Sequence, residues 1–407
     1  MGNWVIERLG RRGDGVAIGP EGRALAALAL PGEEVQGEAI DGRIATPRIL
    51  TPSADRVRPV CGHYRACGGC SLMHGSEAFT TGWKRQVVET ALAAQGIGAT
   101  VEAVHVSPPR SRRRAVFSGR RTKKGALVGF HARASDVIVD IADCHVIRPE
   151  IQAALPMLRR IVAAGASRNA ELSICAVLGP AGLDLAVTGG KPMEAALFQT
   201  LAALADEGDL ARLDWDGQAI TRRPPALPLG RAQVVPPPGA FLQATAEGEA
   251  ALQGAVLQMT EGAARIADLY AGIGTFSLPL AERASVHAVE GLAAPLAALQ
   301  AGWRHARGLQ RLTVATRDLA RNPLLADEID RFDAIVIDPP RAGAAGQARE
   351  VAASRLGRLA FVACDPVNFA RDARILADGG FNLARLLLID QFRWSPHIET
   401  VAEFRRR

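Results

Sequence analysis

Lysine is almost missing from this chain. Of its 48 basic residues only Lys84, Lys123, Lys124 and Lys191 are lysines, and the rest are arginine. Such a bias reflects either a GC-rich coding sequence or a use for planar guanidinium groups, which contact phosphate bidentately. The net charge of +6 and pI near 9.3 fit a polyanionic partner without demanding one. Aromatic residues are few, at 5%, so the 48% hydrophobic content that builds the cores is mostly aliphatic. No early run is apolar for long enough to span a bilayer; residues 24–30 come nearest and fall far short. The first eight residues lack the apolar segment of a signal peptide, and Ile6 stands where a myristoylation motif needs Ser or Thr. The expectation is a cytoplasmic protein with no membrane association. In that reducing compartment the six cysteines read as ligands, nucleophiles or core residues, not disulfides. Internal repeats are absent, and a length of 407 residues predicts two to three domains.

The N-terminal stretch to about residue 50 is punctuated by glycine between short β-prone runs such as Trp4-Val5-Ile6 and Val16-Ala17-Ile18. That pattern predicts a small β-barrel. A proline-punctuated connector over 48–59 leads to Cys61, Cys67 and Cys70, with Cys144 a distant fourth. Four thiolates suit structural zinc or an iron–sulfur cluster, and three close ligands plus one distant favour the cluster. An amphipathic helix is predicted over 81–95, then antiparallel strands over 110–144 carrying Arg112, Arg113, Arg114, Arg120, Arg121, Lys123 and Lys124. Residues 146–220 mix helix and strand without evident chemistry; Cys175 lies in an apolar strand and reads as core. Residues 224–238 are proline-rich and read as a linker or wall.

From residue 263 strands and helices alternate, which predicts a doubly wound, mostly parallel sheet. Its first turn, Asp268-Leu-Tyr-Ala-Gly272-Ile-Gly274-Thr-Phe276, lets backbone approach a ligand closely but is not the full dinucleotide fingerprint. The second strand ends at Glu290, placed to accept hydrogen bonds from ribose hydroxyls. Asp338-Pro-Pro-Arg341 emerges at the same sheet edge. Residues 359–363 form a buried strand that stops at Cys364-Asp365-Pro366, and Cys364 sits where such sheets do their chemistry. Its alternative is a structural thiol.

These pieces together resemble the RumA/TrmA-type RNA uracil-5 methyltransferases over nearly the whole chain. Leu30-Pro-Gly-Glu-Glu-Val35 resembles the turn of TRAM domains, oligonucleotide-binding-like barrels that hold RNA. Cys61, Cys67, Cys70 and Cys144 resemble the four ligands of a 4Fe-4S cluster in the ribosomal-RNA members. Phe241-Leu-Gln243, Tyr270, Thr275 (often Asn in the family), Glu290 and Asp318 match positions that contact the donor. Asp338-Pro-Pro-Arg-Ala-Gly343 is similar to the base-site motif, and Ala363-Cys364-Asp365-Pro366 to the nucleophile motif, with Asp365 replacing Asn. His397-Ile-Glu399-Thr400 resembles the closing motif whose Glu is the general base. The resemblance implies three modules: a TRAM-like barrel over 1–57, a central iron–sulfur and RNA-binding domain over 58–237 whose helix near 81–95 packs on the catalytic domain, and a class I methyltransferase domain over 238–407. It implies S-adenosylmethionine and a 4Fe-4S cluster as cofactors, catalysis by Cys364 and Glu399, and donor contacts from Gln243, Tyr270, Thr275, Glu290, Asp318 and Asp338. The implied substrate is a uridine in RNA, 23S ribosomal RNA over tRNA, unstacked by a monomeric enzyme. Rival readings are a cytosine-5 methyltransferase and a non-catalytic, cluster-bearing RNA-binding protein. Asp365 raises one question of its own, because a second negative charge beside Cys364 would raise the thiol pKa.

Overall fold

A computed structural model describes residues 2–406; Met1 and Arg407, which bound the first and last expected modules, lie outside the described residues. The glycine-rich N-terminus forms a six-stranded sheet in the order Arg43–Ile44, Gly22–Ala26, Gly15–Gly19, Gly2–Leu9, Glu34–Gly37, Arg48–Thr51. Trp4, Ile6, Val35 and Ile44 fill its core. Gly19 is required there, because a Cβ would lie 2.5 Å from the Trp4 ring. Glu33, fully buried, fastens the sheet to the connector: it accepts from the Arg56 guanidinium at 2.7 Å and from Leu30 N–H at 2.8 Å.

The middle of the chain forms a seven-stranded sheet in the order Ile138–Asp140, Gly125–His131, Arg114–Thr122, Glu171–Gly179, Gly182–Thr188, Arg212–Trp215, Gln218–Thr221. Helices Leu155–Gly165 and Ala195–Glu207 cover one face and share its aliphatic core. Cys175 is buried, as expected of a core residue. The proline-rich segment is no linker: its strands Leu227–Leu229 and Ala232–Val234 pair as a hairpin whose Leu and Val side chains are buried in the C-terminal core.

The expected alternation is realised as an eight-stranded sheet in the order Leu312–Thr316, Ser285–Glu290, Arg265–Leu269, Ala334–Ile337, Arg358–Ala363, Thr400–Arg406, Phe381–Asp390, Ala103–Val106. The first five strands are parallel, and Thr400–Arg406 is antiparallel to both of its neighbours. The edge strand Ala103–Val106, from the middle of the chain, lies parallel to Phe381–Asp390, a pairing the sequence did not announce. The first helix after the turn at 268–276 is short, spanning only Ser277–Leu280.

Helix Glu77–Ala93 starts four residues earlier than predicted because Ser76 caps it, accepting from Phe79 N–H at 3.2 Å. It packs on helix Pro366–Asp378 and buries Val88 and Leu92 in the C-terminal core. Its buried Lys84 donates to Asp390 at 2.6 Å and to the Phe392 carbonyl at 3.2 Å. Removing one partner of such a pair leaves an uncompensated buried charge, at a cost of about 3–5 kcal/mol. No helix among the described residues is long and apolar enough to cross a membrane.

Candidate active site and cysteine cavity

Three strand ends and one antiparallel register bring the reactive side chains together. Arg265–Leu269 and Ala334–Ile337 are neighbours, so Asp268 and Asp338 come to the same crevice at the carboxyl end of the sheet. Cys364 follows Arg358–Ala363 on the next strand. Ala363 pairs with Thr400 in antiparallel register, which sets the following Cys364 opposite the preceding Glu399. Thr400 Oγ1 locks this register by donating to the Ala363 carbonyl at 3.1 Å.

Acids crowd this row, and each discourages the ionisation of the next. Asp268 is fully buried, and desolvation pushes its carboxyl up to about 7 although Ser277 Oγ donates to it at 2.5 Å. Asp338 is raised by burial and by Asp268, and Glu399 by burial and by Asp338. The Cys364 thiol is pushed up to about 12, first by burial and then by Glu399 and Asp338. Arg341 opposes this, lowering both Cys364 and Glu399, and its guanidinium sits 3.1 Å from His397 Nδ1. Asp365, suspected of burdening the thiol, is turned to helix Pro366–Asp378. It caps that helix by accepting from Val367 N–H at 3.1 Å and Asn368 N–H at 3.0 Å, and Arg11 lies 4.0 Å away. An asparagine in this place would cap equally well, so the departure from the family motif is conservative.

The residues expected to hold the donor line the other side of the crevice. Tyr270 has a positive φ of +63° and begins a turn through Gly272, where an added Cβ would meet nothing within 4 Å. The turn therefore faces open space with its backbone bare. Glu290 steadies it by accepting from Gly272 N–H at 3.1 Å and from Leu292 N–H at 3.0 Å. Burial raises the Tyr270 hydroxyl to about 12, with Asp372, Asp318 and Glu290 adding to the effect, so these acids surround it. Asp318 is exposed and accepts from Ala320 N–H at 3.0 Å. Thr275 is half-buried, and its carbonyl accepts from Gln253 Nε2 at 3.0 Å.

Gln243 is buried, and Gln391, buried too and missed by sequence reading, joins it to the row of acids. Gln391 Nε2 donates to Gln243 Oε1 at 2.6 Å and lies 3.4 Å from Glu399 Oε2. Lys84 was also missed as a contributor, and it has no local signal because its partner Asp390 lies far away in sequence. Arg341 was legible as part of the motif at 338–343, but its contact with His397 was not.

Cys61, Cys67, Cys70 and Cys144 line one cavity of about 540 Å³. The Cys70 thiol is pushed up to about 12 by burial and then by the other three, so all four are electrostatic neighbours. Arg112, Arg114 and Arg393 line the same cavity, and the Nε of each is buried without a hydrogen-bond partner. Among the described residues no three of His, Cys, Asp or Glu converge closely enough to hold a single metal ion. The cysteine segment also touches the loop before strand Thr400–Arg406, since Ser71 N–H and Leu72 N–H both donate to the Trp394 carbonyl at 2.9 Å.

Known proteins match this arrangement along its whole length. The family model of tRNA (Uracil-5-)-methyltransferase matches residues 308–407. An uncharacterized RNA methyltransferase of Brucella suis is 42% identical over 98% of this chain and 97% of its own. The 23S rRNA (uracil(1939)-C(5))-methyltransferase RlmD of Chromohalobacter salexigens is 32% identical over 97% of this chain and 87% of its own. In fold, the crystal structure of Pyrococcus abyssi tRNA (uracil-54, C5)-methyltransferase with S-adenosyl-L-homocysteine superposes with a TM-score of 0.78, covering 99% of both chains at 21% identity. The chain belongs to the RumA/TrmA-type RNA uracil-5 methyltransferases and is an enzyme that uses S-adenosylmethionine to methylate uracil in RNA.

Proposed function

We propose that the enzyme methylates carbon 5 of a uridine in 23S ribosomal RNA through a covalent bond between Cys364 and the base. The observation that carries this reading is the register that sets Cys364 opposite Glu399, with Asp338 beside both. Uracil carbon 5 is a poor nucleophile and needs covalent activation. The Cys364 thiolate adds to carbon 6, and the electrons of the 5,6 double bond move to oxygen 4 as an enolate. Collapse of the enolate drives carbon 5 onto the donor's methyl group, leaving S-adenosylhomocysteine. Glu399 then takes the proton from carbon 5, the carbon–sulfur bond breaks, and the Cys364 thiolate returns. Gln243, Tyr270, Thr275, Glu290 and Asp318 hold the donor, and Asp338 lines the slot where base and methyl group meet.

RNA reaches this site along a basic path. A cleft of about 860 Å³ between the N-terminal sheet and the cysteine segment is lined by Arg43, Arg48, Arg56, Arg65 and Arg133. Arg43 and Arg56 are paired with Asp14 and Glu33, whereas Arg48 and Arg65 have no ion pair among the described residues. The cleft shares Tyr64 and Arg133 with the cysteine cavity, which extends to His397 beside Arg341. The basic strands over 112–124 contribute through Arg121, Lys123 and Lys124, which are exposed and have no ion pair among the described residues, whereas Arg112 and Arg114 face the cysteine cavity and Arg120 is paired with Glu171. An unstacked uridine suits such a route. In this reading the enzyme is a cytoplasmic monomer of three modules, a TRAM-like 1–57, a central 58–237 and a catalytic 238–407.

Cys61, Cys67, Cys70 and Cys144 hold a 4Fe-4S cluster in this proposal. Two features support the fit: four thiols share one cavity, and three buried arginine Nε–H groups there await an anion. Bound as thiolates, the four cysteines would supply that negative charge. The cluster would fasten the segment whose backbone holds the Trp394 carbonyl. Protein purified without oxygen is expected to be brown, with about four iron atoms per chain, and Cys70→Ser colourless; stoichiometric zinc instead would overturn the cluster.

Incubating the enzyme with S-adenosylmethionine and unmodified 23S rRNA or tRNA, then mapping 5-methyluridine, tests the substrate. A single modified uridine in 23S rRNA is expected. Modification of tRNA alone would overturn the ribosomal reading.

A further inference from the structure

We infer that Gln391 is a positioning residue that couples the donor side of the crevice to the proton acceptor. The inference rests on the roles proposed for Gln243 and Glu399 and adds the element that ties them together. Gln391 is 2% exposed, so its amide must find all its partners inside the protein. Its Oε1 accepts from the Ala244 backbone N–H at 2.9 Å, which fixes which end of the amide is oxygen. The NH₂ group is thereby aimed at the two side chains that matter. One contact, at 2.6 Å, goes to Gln243 Oε1; the other, at 3.4 Å, reaches Glu399 Oε2.

Two consequences follow for the site. Gln243, its oxygen occupied, is held with its own NH₂ group turned away from Gln391 and available to the donor. Glu399 receives an N–H toward one oxygen, which favours its ionised, proton-accepting form and leaves the other oxygen for the substrate. That help counts because the surroundings of Glu399 oppose ionisation. Asp338 and Cys364 face it from the two preceding parallel strands, and Arg341 is the cation that answers them. Neighbouring Asp390 is turned away to Lys84. The short Gln391-to-Gln243 bond spans 148 residues of sequence, so one amide links the segment before the donor domain's first helix to the final catalytic loop.

Two substitutions in the full-length, cluster-bearing enzyme test this. Gln391→Met fills a similar volume and loses every hydrogen bond, whereas Gln391→Glu retains an acceptor for Ala244 N–H, loses both donations and adds a carboxylate. The readouts are KM for S-adenosylmethionine and the rate at which the enzyme–RNA adduct resolves between pH 6 and 9. With Gln391→Met, KM is expected to rise about 3–10-fold, and the rising limb of adduct resolution to move up by about half a pH unit. Gln391→Glu should move the limb further, by about one unit or more, because like charges resist joint ionisation. A merely structural role would lower kcat at every pH and leave the limb in place, and that result overturns the inference. Normal KM and limb in both variants, with wild-type enzyme forming and resolving its adduct, would overturn Gln391 alone. Wild-type enzyme that forms no adduct would overturn the proposed chemistry and this inference with it.

Discussion

Alanine at position 364 is expected to abolish methylation, with turnover falling on the order of 10⁴-fold or more. RNA and donor should bind as before. The substitution removes one half-buried sulfur atom from the end of a strand whose register is held by backbone pairing and by Thr400, so the fold does not depend on it. The distinguishing measurement is a denaturing gel with 5-fluorouridine RNA and S-adenosylmethionine. Wild-type enzyme should be trapped as a stable covalent complex, because fluorine on carbon 5 cannot leave as a proton, and Cys364→Ala should give none. Retained activity in the variant, or no complex with the wild type, would sink the covalent mechanism. The sign of the pH dependence follows from the environment. Burial, Glu399 and Asp338 push the Cys364 thiol up to about 12, so the resting enzyme carries a protonated thiol. The reactive thiolate fraction grows as pH rises, and adduct formation should accelerate steadily from neutral into alkaline solution.

What the sequence made legible was chemistry placed at the ends of strands. Glu290, Asp338 and Cys364 each close a short apolar run and precede a turn signalled by Gly or Pro, and Asp268 stands one residue before the end of its strand, so the hydrophobic pattern alone brings them to one edge of a parallel sheet. Glu399 was legible as a motif, but its position opposite Cys364 depends on an antiparallel register that no local pattern records. Illegible features share one trait, which is long-range pairing. Lys84 and Asp390 meet across 306 residues, and Gln391 reaches Gln243 across 148. Ala103–Val106 is four residues long, too short to show a period, and becomes a strand because the edge of Phe381–Asp390 is open to it. The arginines of 112–114 stand in the sequence as part of a basic run of strands. Two of them turn inward to the cysteine cavity, a placement decided by groups that only the folded chain supplies.

Glu399→Gln is expected to separate the two halves of the reaction. The amide preserves shape and volume but cannot take the proton from carbon 5. Methyl transfer to the enzyme-bound base should therefore proceed, and the methylated adduct should accumulate with ordinary RNA well above the transient level that wild-type enzyme forms and resolves. Overall turnover should fall about 10²–10⁴-fold, the usual worth of a positioned base. The pH dependence gives a second, independent check. Burial and Asp338 raise Glu399 above the ordinary carboxylate range, and the group accepts a proton only when ionised. Adduct resolution by the wild type should then rise with pH through that elevated pKa, and Glu399→Gln should lose the limb altogether. Replacing Asp338 is no substitute test, because it removes the charge that raises Glu399 together with the proposed wall of the base slot. Normal turnover by Glu399→Gln, or a variant that fails to form the adduct at all, would remove Glu399 from the role of base and leave the proton to another group.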